Sequence, residues 1–379
     1  MVVAQVKNPP VIQPVRDKSL VQRVIRNVVP FGANNIFPNE VAALLRRAKV
    51  QRGIINDKVS YFAGAYFTSE DQAFLEWEKT AGRADGQIVS FFEVHKRLQI
   101  DKRSGGNAYL HIITDQRKSF LQFQHLDWTK CRVNRENEVV INDDWVYVLN
   151  QEGERRIPLF PEFVRNEKMF GDNLYHSVIH FKDYEPEFTW YGIPDWLTGW
   201  ENMIIDVRTD EWNLSHLDKG VKPDVIMHLP HGTTQGEVDM IKKDAEEFKE
   251  GKPGSLLFTF GDNIKSTVLN TKVFDMDWST LTEANLNKAL IANSWYKSLM
   301  SISQATGFDT ERVKYEYQLA LRKILPEQEV FMTYYKRVLN AFGFNTDTLQ
   351  IHNEPILPEE SREDKAVKML PFLSEEQIR

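Results

Sequence analysis

The sequence predicts an α+β protein in which a strand-rich first half leads into long amphipathic helices. Short apolar runs separated by turn residues predict several strands between Tyr109 and Phe181. Apolar side chains then recur at steps of three and four after Pro194 and after Glu311, as in helices with one buried face. Residues 221–262 carry a small strand–helix–strand pattern between helical segments. These three observations define the predicted fold.

Composition limits the functional classes. The chain has 379 residues, of which 42% are hydrophobic, so it can bury a sizeable core in two or three structural units. A net charge of −7 argues against a general polyanion binder, although it does not exclude a shielded channel that nucleic acid passes through. No signal peptide or membrane span is expected, so assembly in a cytoplasm is predicted. The single cysteine, Cys131, is predicted to be a buried apolar filler.

The first half is expected to begin with an extended arm, because five prolines interrupt residues 1–40. Residues 39–67 and 91–98 have helical spacing of apolar side chains. Short strands forming one compact antiparallel unit are predicted at Tyr109–Ile113, Phe120–Phe123, Cys131–Val133, Val139–Ile141, Trp145–Leu149 and Ser177–Phe181.

A long amphipathic helix is predicted from Pro194 to Gly220, since proline suits a first turn and glycine an end. Its tryptophans are interpreted as packing anchors, as is Trp190 just before it. In the insert that follows, Thr234 and Glu237 form a capping-box pattern. That box opens a helix between two predicted strands, Val225–Leu229 and Ser255–Phe260.

The last third is predicted to hold two further helices. An extended piece at Lys272–Phe274 is followed by a second capping pattern, Thr280 with Glu283, which opens a helix to about Ser303. A loop over residues 304–310 leads to a helix from Glu311 in which Pro326 is expected to produce a kink. The acidic tail from Pro355 is predicted to be a short helix or disordered.

No motif indicates catalysis or a cofactor. His228 with His231 and His176 with His180 lack the spacing and partners of a zinc site, so surface-loop histidines are the favoured interpretation. The Ser104–Asn107 run precedes a strand and is interpreted as a tight turn, because a phosphate loop would open a helix. Asp275 and Asp277 are interpreted as helix caps. A metal-dependent hydrolase using the His and Asp clusters remains an alternative.

Three local motifs resemble the portal proteins of tailed bacteriophages. Gly105-Gly106-Asn107-Ala108-Tyr109 is similar to the "GNAY" strand entry of that family. His180-Phe181 followed by Trp190-Tyr191-Gly192-Ile193-Pro194 resembles its "H-hydrophobic … YG-S-P" helix entry, with Ile193 where Ser is common. Ile324-Leu325-Pro326 resembles the "L-P" of its penultimate helix. The resemblance covers about residues 40–345 and keeps the order of elements.

The resemblance implies a portal-like subunit without enzymatic activity. It divides the chain into an N-terminal arm (1–40), an α+β wing (41–193), a first stem helix (194–220), a clip (221–262), a connecting strand with the second stem helix (263–303), a tunnel loop (304–310), a kinked wing helix (311–345) and a short crown or tail (346–379). The resemblance implies that the crown of the family is reduced here to that last segment.

The same resemblance implies partners. The subunit is expected in a ring, typically of twelve copies, at one capsid vertex of a virion, where double-stranded DNA passes through the channel. The expected protein partners are the terminase large subunit, the head–tail adaptor and the major capsid protein, and no membrane is involved. An adaptor or other virion ring protein is the second alternative to a portal protein.

Candidate site residues follow from these positions. The predicted channel and tunnel-loop residues are Lys288, Lys297, Gln304, Thr306, Gly307, Phe308 and Asp309. The predicted docking residues of the clip are Lys242, Lys243, Glu246, Glu247, Lys249 and Glu250.

The second stem helix carries few charges for a wall that contacts DNA. Between Ala284 and Gln304 only Lys288 and Lys297 are charged, while Asn and Ser are frequent. Dense cationic contacts would hold DNA back, so a polar, nearly uncharged wall suits a channel. The two lysines are nine residues apart, about half a turn around an ideal helix. We therefore expect one lysine at the channel and the other at a subunit contact. A helix packed among neighbours with a weakly polar face is the alternative.

Overall fold

The computed structural model is a mixed assembly of helices with, among the residues that it describes, four small sheets. The structure describes residues 28–32, 35–143, 145, 154–219, 223–230, 234–240, 255–261, 265–268, 278–300 and 310–355. It confirms the α+β class. No helix among these residues is long and apolar enough to cross a membrane.

The largest sheet has five strands, β2 (Gly82–Ala84), β3 (Gln87–Val89), β4 (Asn107–Thr114), β5 (Leu121–Leu126) and β9 (Tyr175–Lys182). Their spatial order is β3-β2-β5-β4-β9, and all pairs are antiparallel except β2 with β5. Every residue of β4 is buried, as expected of a central strand covered on both faces.

A second sheet consists of β6 (Cys131–Val133), β7 (Glu138–Ile141) and β8 (Arg155–Pro158), all antiparallel. The start of the described chain adds to its free edge, because the Val29 N–H donates to the Val133 carbonyl at 2.9 Å. The prediction of one antiparallel unit was therefore wrong: the strands form two sheets, and the larger contains a parallel pair. The Trp145–Leu149 strand lies outside the described residues apart from Trp145.

Four helices accompany these sheets: α1 (Phe37–Leu45), α2 (Lys49–Ala63), α3 (Gln72–Glu78) and α4 (Phe91–Gly105). The single helix predicted over 39–67 is two helices, α1 and α2, separated by residues 46–48. The last residues of that prediction belong to a strand, β1 (Tyr66–Thr68). Ser90 caps α4 by accepting from the Glu93 N–H. The predicted helix at 91–98 is confirmed and continues to Gly105. A single-turn helix, α5 (Glu167–Phe170), precedes β9.

Two longer helices, α6 (Trp200–Lys219) and α7 (Trp278–Ala292), form what we call the helix pair. A 3₁₀ turn, Asp195–Gly199, leads into α6, with Pro194 as its N-cap residue. Helix α7 begins two residues before Thr280, so Thr280 is not its cap. It also ends at Ala292, eleven positions earlier than predicted, because the chain turns back there and the Trp295 N–H donates to the Leu290 carbonyl.

Along the chain, a three-stranded sheet follows α6 and precedes α7. It consists of β10 (Pro223–Pro230), β11 (Ser255–Gly261) and β12 (Lys265–Val268). Strand β10 pairs in parallel with β11 and antiparallel with β12. Residues 235–240 are helical, and Thr234 and Glu237 exchange the hydrogen bonds of a capping box, as predicted. Strand β12 was not predicted, and the extended piece at Lys272–Phe274 lies outside the described residues.

Helix α8 (Thr310–Ala341) is the longest, with 32 residues, and contains Pro326. Its predicted apolar stripe is buried at Ala320, Ile324, Phe331, Tyr335 and Val338. A short strand, β13 (Gln350–His352), follows and pairs with β1. The tail beyond Pro355 lies outside the described residues.

The apolar side chains gather in three main clusters. The first packs α1, the β6–β8 sheet and the start of α6, and includes Trp196, Trp200 and Met203. The second packs α4, the five-stranded sheet and the end of α8, and includes Phe91, Phe123, Phe331 and Tyr335. The third joins α2, α7 and the start of α8, with Ile54, Leu290, Trp295 and Ile324. Trp196 and Trp200 are packing anchors, as predicted.

Candidate helix-pair junction and exposed face

The three motifs that carried the resemblance meet at the start of the helix pair. Asn107, the first residue of β4, is 1% exposed. Its Nδ2 donates to the carbonyls of Gly105 and Gly192, each at 2.8 Å. Its Oδ1 accepts from the Gly192 N–H at 2.8 Å and lies 3.0 Å from Nε2 of His180. One buried amide therefore ties the strand entry to the segment that enters α6.

Two glycines, Gly106 and Gly192, permit this close approach, since a Cβ atom at Gly192 would lie 2.2 Å from the Gly106 carbonyl oxygen. Gly106 ends α4 in the left-handed region, with φ of 71°, and its N–H donates to the Lys102 carbonyl. A Cβ atom at Gly106 would lie 2.6 Å from the Ile193 carbonyl carbon, which is closer than such contacts allow. The predicted tight turn at Ser104–Asn107 is thus a helix end packed directly on the α6 entry.

Aromatic side chains fix the same segment to the β6–β8 sheet and to α4. The Tyr191 hydroxyl donates to the Val29 carbonyl at 2.6 Å and accepts from the Val133 N–H at 3.0 Å. Burial raises the pKa of Tyr191 above its usual value, so the phenol stays neutral. Trp196 is fully buried, and its indole N–H donates to the Arg103 carbonyl at 2.9 Å. The entry to α6 is therefore held at several points.

A partly buried ion cluster connects the residue after the third motif to this junction. Glu327, directly after Pro326, accepts from Lys102 at 3.0 Å and from Arg103 at 2.7 Å. Lys102 also binds Asp183, just after β9. Burial alone would raise the pKa of Glu327, but Arg103 and Lys102 outweigh it and hold that pKa below the usual carboxyl value. Glu327 is therefore an anion at neutral pH.

The helices of the pair run antiparallel and pack closely where α6 begins. A Cβ atom at Gly199 would lie 2.7 Å from Cβ of Ala292, so the start of α6 meets the end of α7 with no room for a side chain. The Asn285 amide donates to the Asn202 carbonyl at 3.1 Å. At the end of α7, Asn293 and Gln51 of α2 exchange amide hydrogen bonds at 2.8 and 3.1 Å.

Salt bridges fasten the α1–α2 corner to α6. Arg47 binds Glu211 and Lys49 binds Asp210, each at 2.5 Å. Asp206 is buried and accepts from the Val50 N–H at 3.1 Å in the first turn of α2, where a carboxylate suits the helix dipole. The helix pair is thus held from one side by α2 and its neighbours.

The opposite side of the pair is exposed. On α6 the exposed positions Glu201, Ile205 and Arg208 follow the spacing i, i+4, i+7. On α7 the same spacing gives Ala284, Lys288 and Ile291, and Ile291 is 77% exposed. Side chains at this spacing share one helix face.

Both strips lie away from the clusters that pack the other faces of α6 and α7. We call these six residues, together with Asn287 on α7, the exposed face. The α6 strip was not predicted, because the apolar periodicity of this helix indicates only the face that packs against the rest of the chain.

Of the predicted site residues, Lys288 and Lys297 lie in the described part of the chain. Lys288 lies on the exposed face, whereas Lys297 lies in a 3₁₀ turn after α7 and binds Glu283 at 2.9 Å. Because α7 ends at Ala292, the prediction of two lysines half a turn apart on one helix was wrong. The tunnel-loop residues 304–309 and the clip residues 242–250 lie outside the described residues, as do Asp275, Asp277 and His231.

The histidine prediction was wrong for the pair on β9. His176 and His180 lie on a strand and not in a loop, and His176 is 2% exposed. His176 Nδ1 lies 3.0 Å from Nε2 of His111, and its Nε2 lies 3.0 Å from a carboxylate oxygen of Asp172. Burial lowers the pKa of His180 to about 3. Within the described ranges, no three His, Cys, Asp or Glu side chains are grouped to hold a metal ion.

Cys131 lies on β6 and is buried, as predicted. Burial raises the pKa of its thiol well above the ordinary value, so the thiolate that would act as a nucleophile is disfavoured.

The fold is similar to that of chains in gene transfer agent particles. No protein-family model and no curated protein matches the sequence. A chain in "Virion of native gene transfer agent (GTA) particle" matches with a TM-score of 0.54 at 12% identity, covering 89% of each chain. A chain in "Neck of native GTA particle computed with C12 symmetry" has a TM-score of 0.54 at 13% identity, covering 89% of this chain and 91% of its own.

A chain in "Neck of empty GTA particle computed with C6 symmetry" matches with a TM-score of 0.55 at 13% identity. It covers 91% of this chain and 93% of its own. The fold of the chain is therefore similar, over about nine-tenths of its length, to that of a chain in gene transfer agent particles.

Proposed function

We propose that the chain is the portal subunit of a tailed phage or a phage-like particle. The observation that carries this proposal is the fold shared, over about nine-tenths of both chains, with structures of a particle neck. Support from the sequence is independent of that comparison, because two of the motifs similar to portal proteins meet in one junction around Asn107. If the motifs maintain one structural joint, their residues are expected to be in contact in the fold although they are far apart in the chain.

The proposed assembly is a closed ring of identical subunits. The neck structures of similar fold were computed with twelvefold and sixfold symmetry, and a twelve-membered ring satisfies both. A heterologous contact between identical copies closes into a ring when its rotation divides a full turn. We propose twelve copies at one capsid vertex, in a virion assembled in a bacterial cytoplasm.

We further propose that the exposed face lines the central channel. The bulk of the subunit packs behind α6 and α7, through Asp206, Gln51 and the third hydrophobic cluster. A ring built with that bulk at the periphery turns the other side of the helix pair toward the axis. The channel wall then comes from both helices, and not from α7 alone.

The chemistry of the exposed face suits passage of a polyanion. It combines one anion, Glu201, with two cations, Arg208 and Lys288, and the uncharged Ile205 and Ile291. DNA affinity rises with each phosphate that a cation neutralises, so a nearly balanced face keeps DNA weakly held. In this proposal Lys288 meets DNA, and the channel role of Lys297 stays a prediction.

The remaining assignments of the proposal follow the order of elements. In this proposal residues 304–310, which include Phe308, form the tunnel loop between α7 and α8. Residues 221–262 form the clip, where charged residues from Lys242 to Glu250 dock the terminase large subunit during packaging and the head–tail adaptor afterwards. The wing contacts the major capsid protein. The subunit carries no catalytic activity of its own.

Cysteine labelling of the assembled ring tests the channel assignment. Ile291→Cys places a thiol on the exposed face, and the buried Cys131 gives little background. Ile88→Cys on β3 is a matched control, because Ile88 is also well exposed, at 64%, but lies in the five-stranded sheet. Each variant is treated with a small maleimide and with a maleimide that bears a bulky polymer.

We expect the small reagent to modify both thiols quickly and the bulky reagent to modify Ile291→Cys much more slowly than Ile88→Cys. Slow modification of Ile291→Cys by both reagents would place the face between subunits. Fast modification by both would place it on the outer surface. Either result contradicts the channel assignment.

A further inference from the structure

An open cavity of about 430 Å³ lies where α2, α8 and the residues after α7 meet the turn that leads into α6. We call it the cationic cavity, because cations outnumber carboxylates in its lining. The four cations are Lys58, Arg103, Arg322 and Lys323, and the two carboxylates are Asp195 and Glu327. The lining therefore carries a surplus of two positive charges.

Both carboxylates of the lining already bind a cation. Asp195 accepts from Nζ of Lys58 at 2.5 Å, and Glu327 accepts from Arg103 at 2.7 Å. Lys58 and Arg103 are nearly buried, with side-chain exposures of 3% and 7%. These two pairs leave the other two cations of the lining without a carboxylate.

The surplus cations both belong to α8. Lys323 donates to the Ser294 carbonyl at 2.6 Å, which is a neutral acceptor. Arg322 is exposed and has no hydrogen bond or ion pair with any residue in the described ranges. The positive charge of Arg322 and Lys323 is therefore not neutralised by a carboxylate of the described chain.

Two residues of the lining also carry buried donors that lack an acceptor. Neither Nε of Arg103 nor the indole Nε1 of Trp295 has a hydrogen-bond partner in the part of the chain that the structure describes. Trp295 is 6% exposed. Buried donors without a partner are rare in folded proteins, and a bound ion is one explanation for them.

The electrostatics of Lys58 agree with these observations. Burial lowers the pKa of Lys58, Asp195 opposes that effect, and the positive charge of Arg103 adds to it. An anion in the cavity would favour the charged form of Lys58. The interior of the cavity is thus short of negative charge.

We propose that the cationic cavity binds a phosphate group that carries two negative charges. A dianion balances the charges of Arg322 and Lys323. Arginine presents a fork of N–H donors that fits phosphate oxygens, and lysine adds a compact charge. Bound phosphate would connect α2 and α8 to the segment after α7. This inference goes beyond the proposed function, because it concerns one subunit and requires neither a ring nor a channel.

Isothermal titration calorimetry of the full chain with inorganic phosphate at pH 7.5 tests the site. Sodium chloride keeps the ionic strength constant, so that screening is the same throughout. We expect saturable binding of one phosphate by each chain. Arg322→Gln should weaken the affinity by about tenfold, as for loss of one hydrogen bond to a charged group.

Lys323→Gln should weaken the affinity by a similar factor. Lys336→Gln is the matched control, because Lys336 is a cation of the same helix that lies outside the lining, and it should bind phosphate as the native chain does. Absence of saturable binding to the native chain would overturn the proposal. Equal affinity in the native chain, Arg322→Gln and Lys323→Gln would also overturn it.

Short duplex DNA distinguishes free phosphate from the phosphates of a DNA backbone. Each backbone phosphate carries a single charge, so we expect an excess of duplex DNA to leave phosphate binding unchanged. Displacement of phosphate by DNA would overturn the assignment to a dianion. None of these results depends on whether the subunits form a channel.

Discussion

The substitution Asn107→Ala tests how the start of the helix pair is held. In the native protein this buried amide makes four hydrogen bonds, to Gly105, twice to Gly192, and to His180. Its removal leaves the N–H and the carbonyl of Gly192 without their hydrogen bonds to the Asn107 side chain, and Gly192 is itself buried. Each buried polar group left unsatisfied costs about 1–3 kcal/mol. The expected loss is therefore about 2–6 kcal/mol of unfolding free energy.

Urea unfolding followed by tryptophan fluorescence measures this loss, because Trp196 and Trp200 report on the same junction. Asn173→Ala is the matched control, since Asn173 accepts one hydrogen bond from Arg165 at an exposed site. Exposed substitutions change stability by about 0.5 kcal/mol or less. A loss in Asn107→Ala no greater than that of the control would refute the argument that this amide ties the strand entry to α6.

Three other predictions concern separate parts of the fold. Burial lowers the pKa of His95 from 6.5 to about 3, so its contribution to stability is complete above pH 6.5 and falls as pH drops toward 3. The unfolding free energy falls by up to about 1.4 kcal/mol for each pH unit. A urea midpoint that is the same at pH 7.5 and at pH 5.5 would contradict this prediction. Gly199→Ala should lower the unfolding free energy by about 1–3 kcal/mol, because the added methyl group pushes α6 away from Ala292. Gly53→Ala, which has open space around it, should not destabilise the protein. Equal effects of the two substitutions in urea unfolding would count against the close contact. Cys131 should react with a thiol reagent only on unfolding, so stoichiometric labelling of the folded protein would show that it is not buried.

The sequence predicted the long helices well because their periodicity is a local property. The apolar stripe of α8 and the tryptophans at the start of α6 are buried where their spacing placed them. The capping box at Thr234 was also correct, since its hydrogen bonds join residues three apart. These features depend on neighbours in the chain.

The errors occurred where contacts distant in the chain decide the structure. Helix α7 stops at Ala292 without a glycine or proline, because Trp295 turns back to pack in the third cluster. His176 and His180 were interpreted as surface-loop histidines, although the predicted strand Ser177–Phe181 contains His180. Their side chains contact His111 and Asn107 of β4, the neighbouring strand, so both histidines belong to the five-stranded sheet.

For the candidate site, the sequence identified the motifs but did not predict which residues of the motifs are in contact. Asn107 was one letter of a motif, and its bonds to Gly192 join residues 85 positions apart. Glu327 followed a proline that was expected only to kink a helix, and its cationic partners are more than 220 positions away. The exposed face combines strips from two helices, which no window of sequence contains.

Electron microscopy of the purified, assembled protein can show whether the chain forms a channel. We expect rings with an open centre, with α6 and α7 nearest the axis and the five-stranded sheet at the periphery. Averaged images should show the twelvefold or sixfold symmetry under which the neck structures of similar fold were computed. A protein that stays monomeric under assembly conditions, or a closed assembly with Ile291 on its outer surface, would contradict the account.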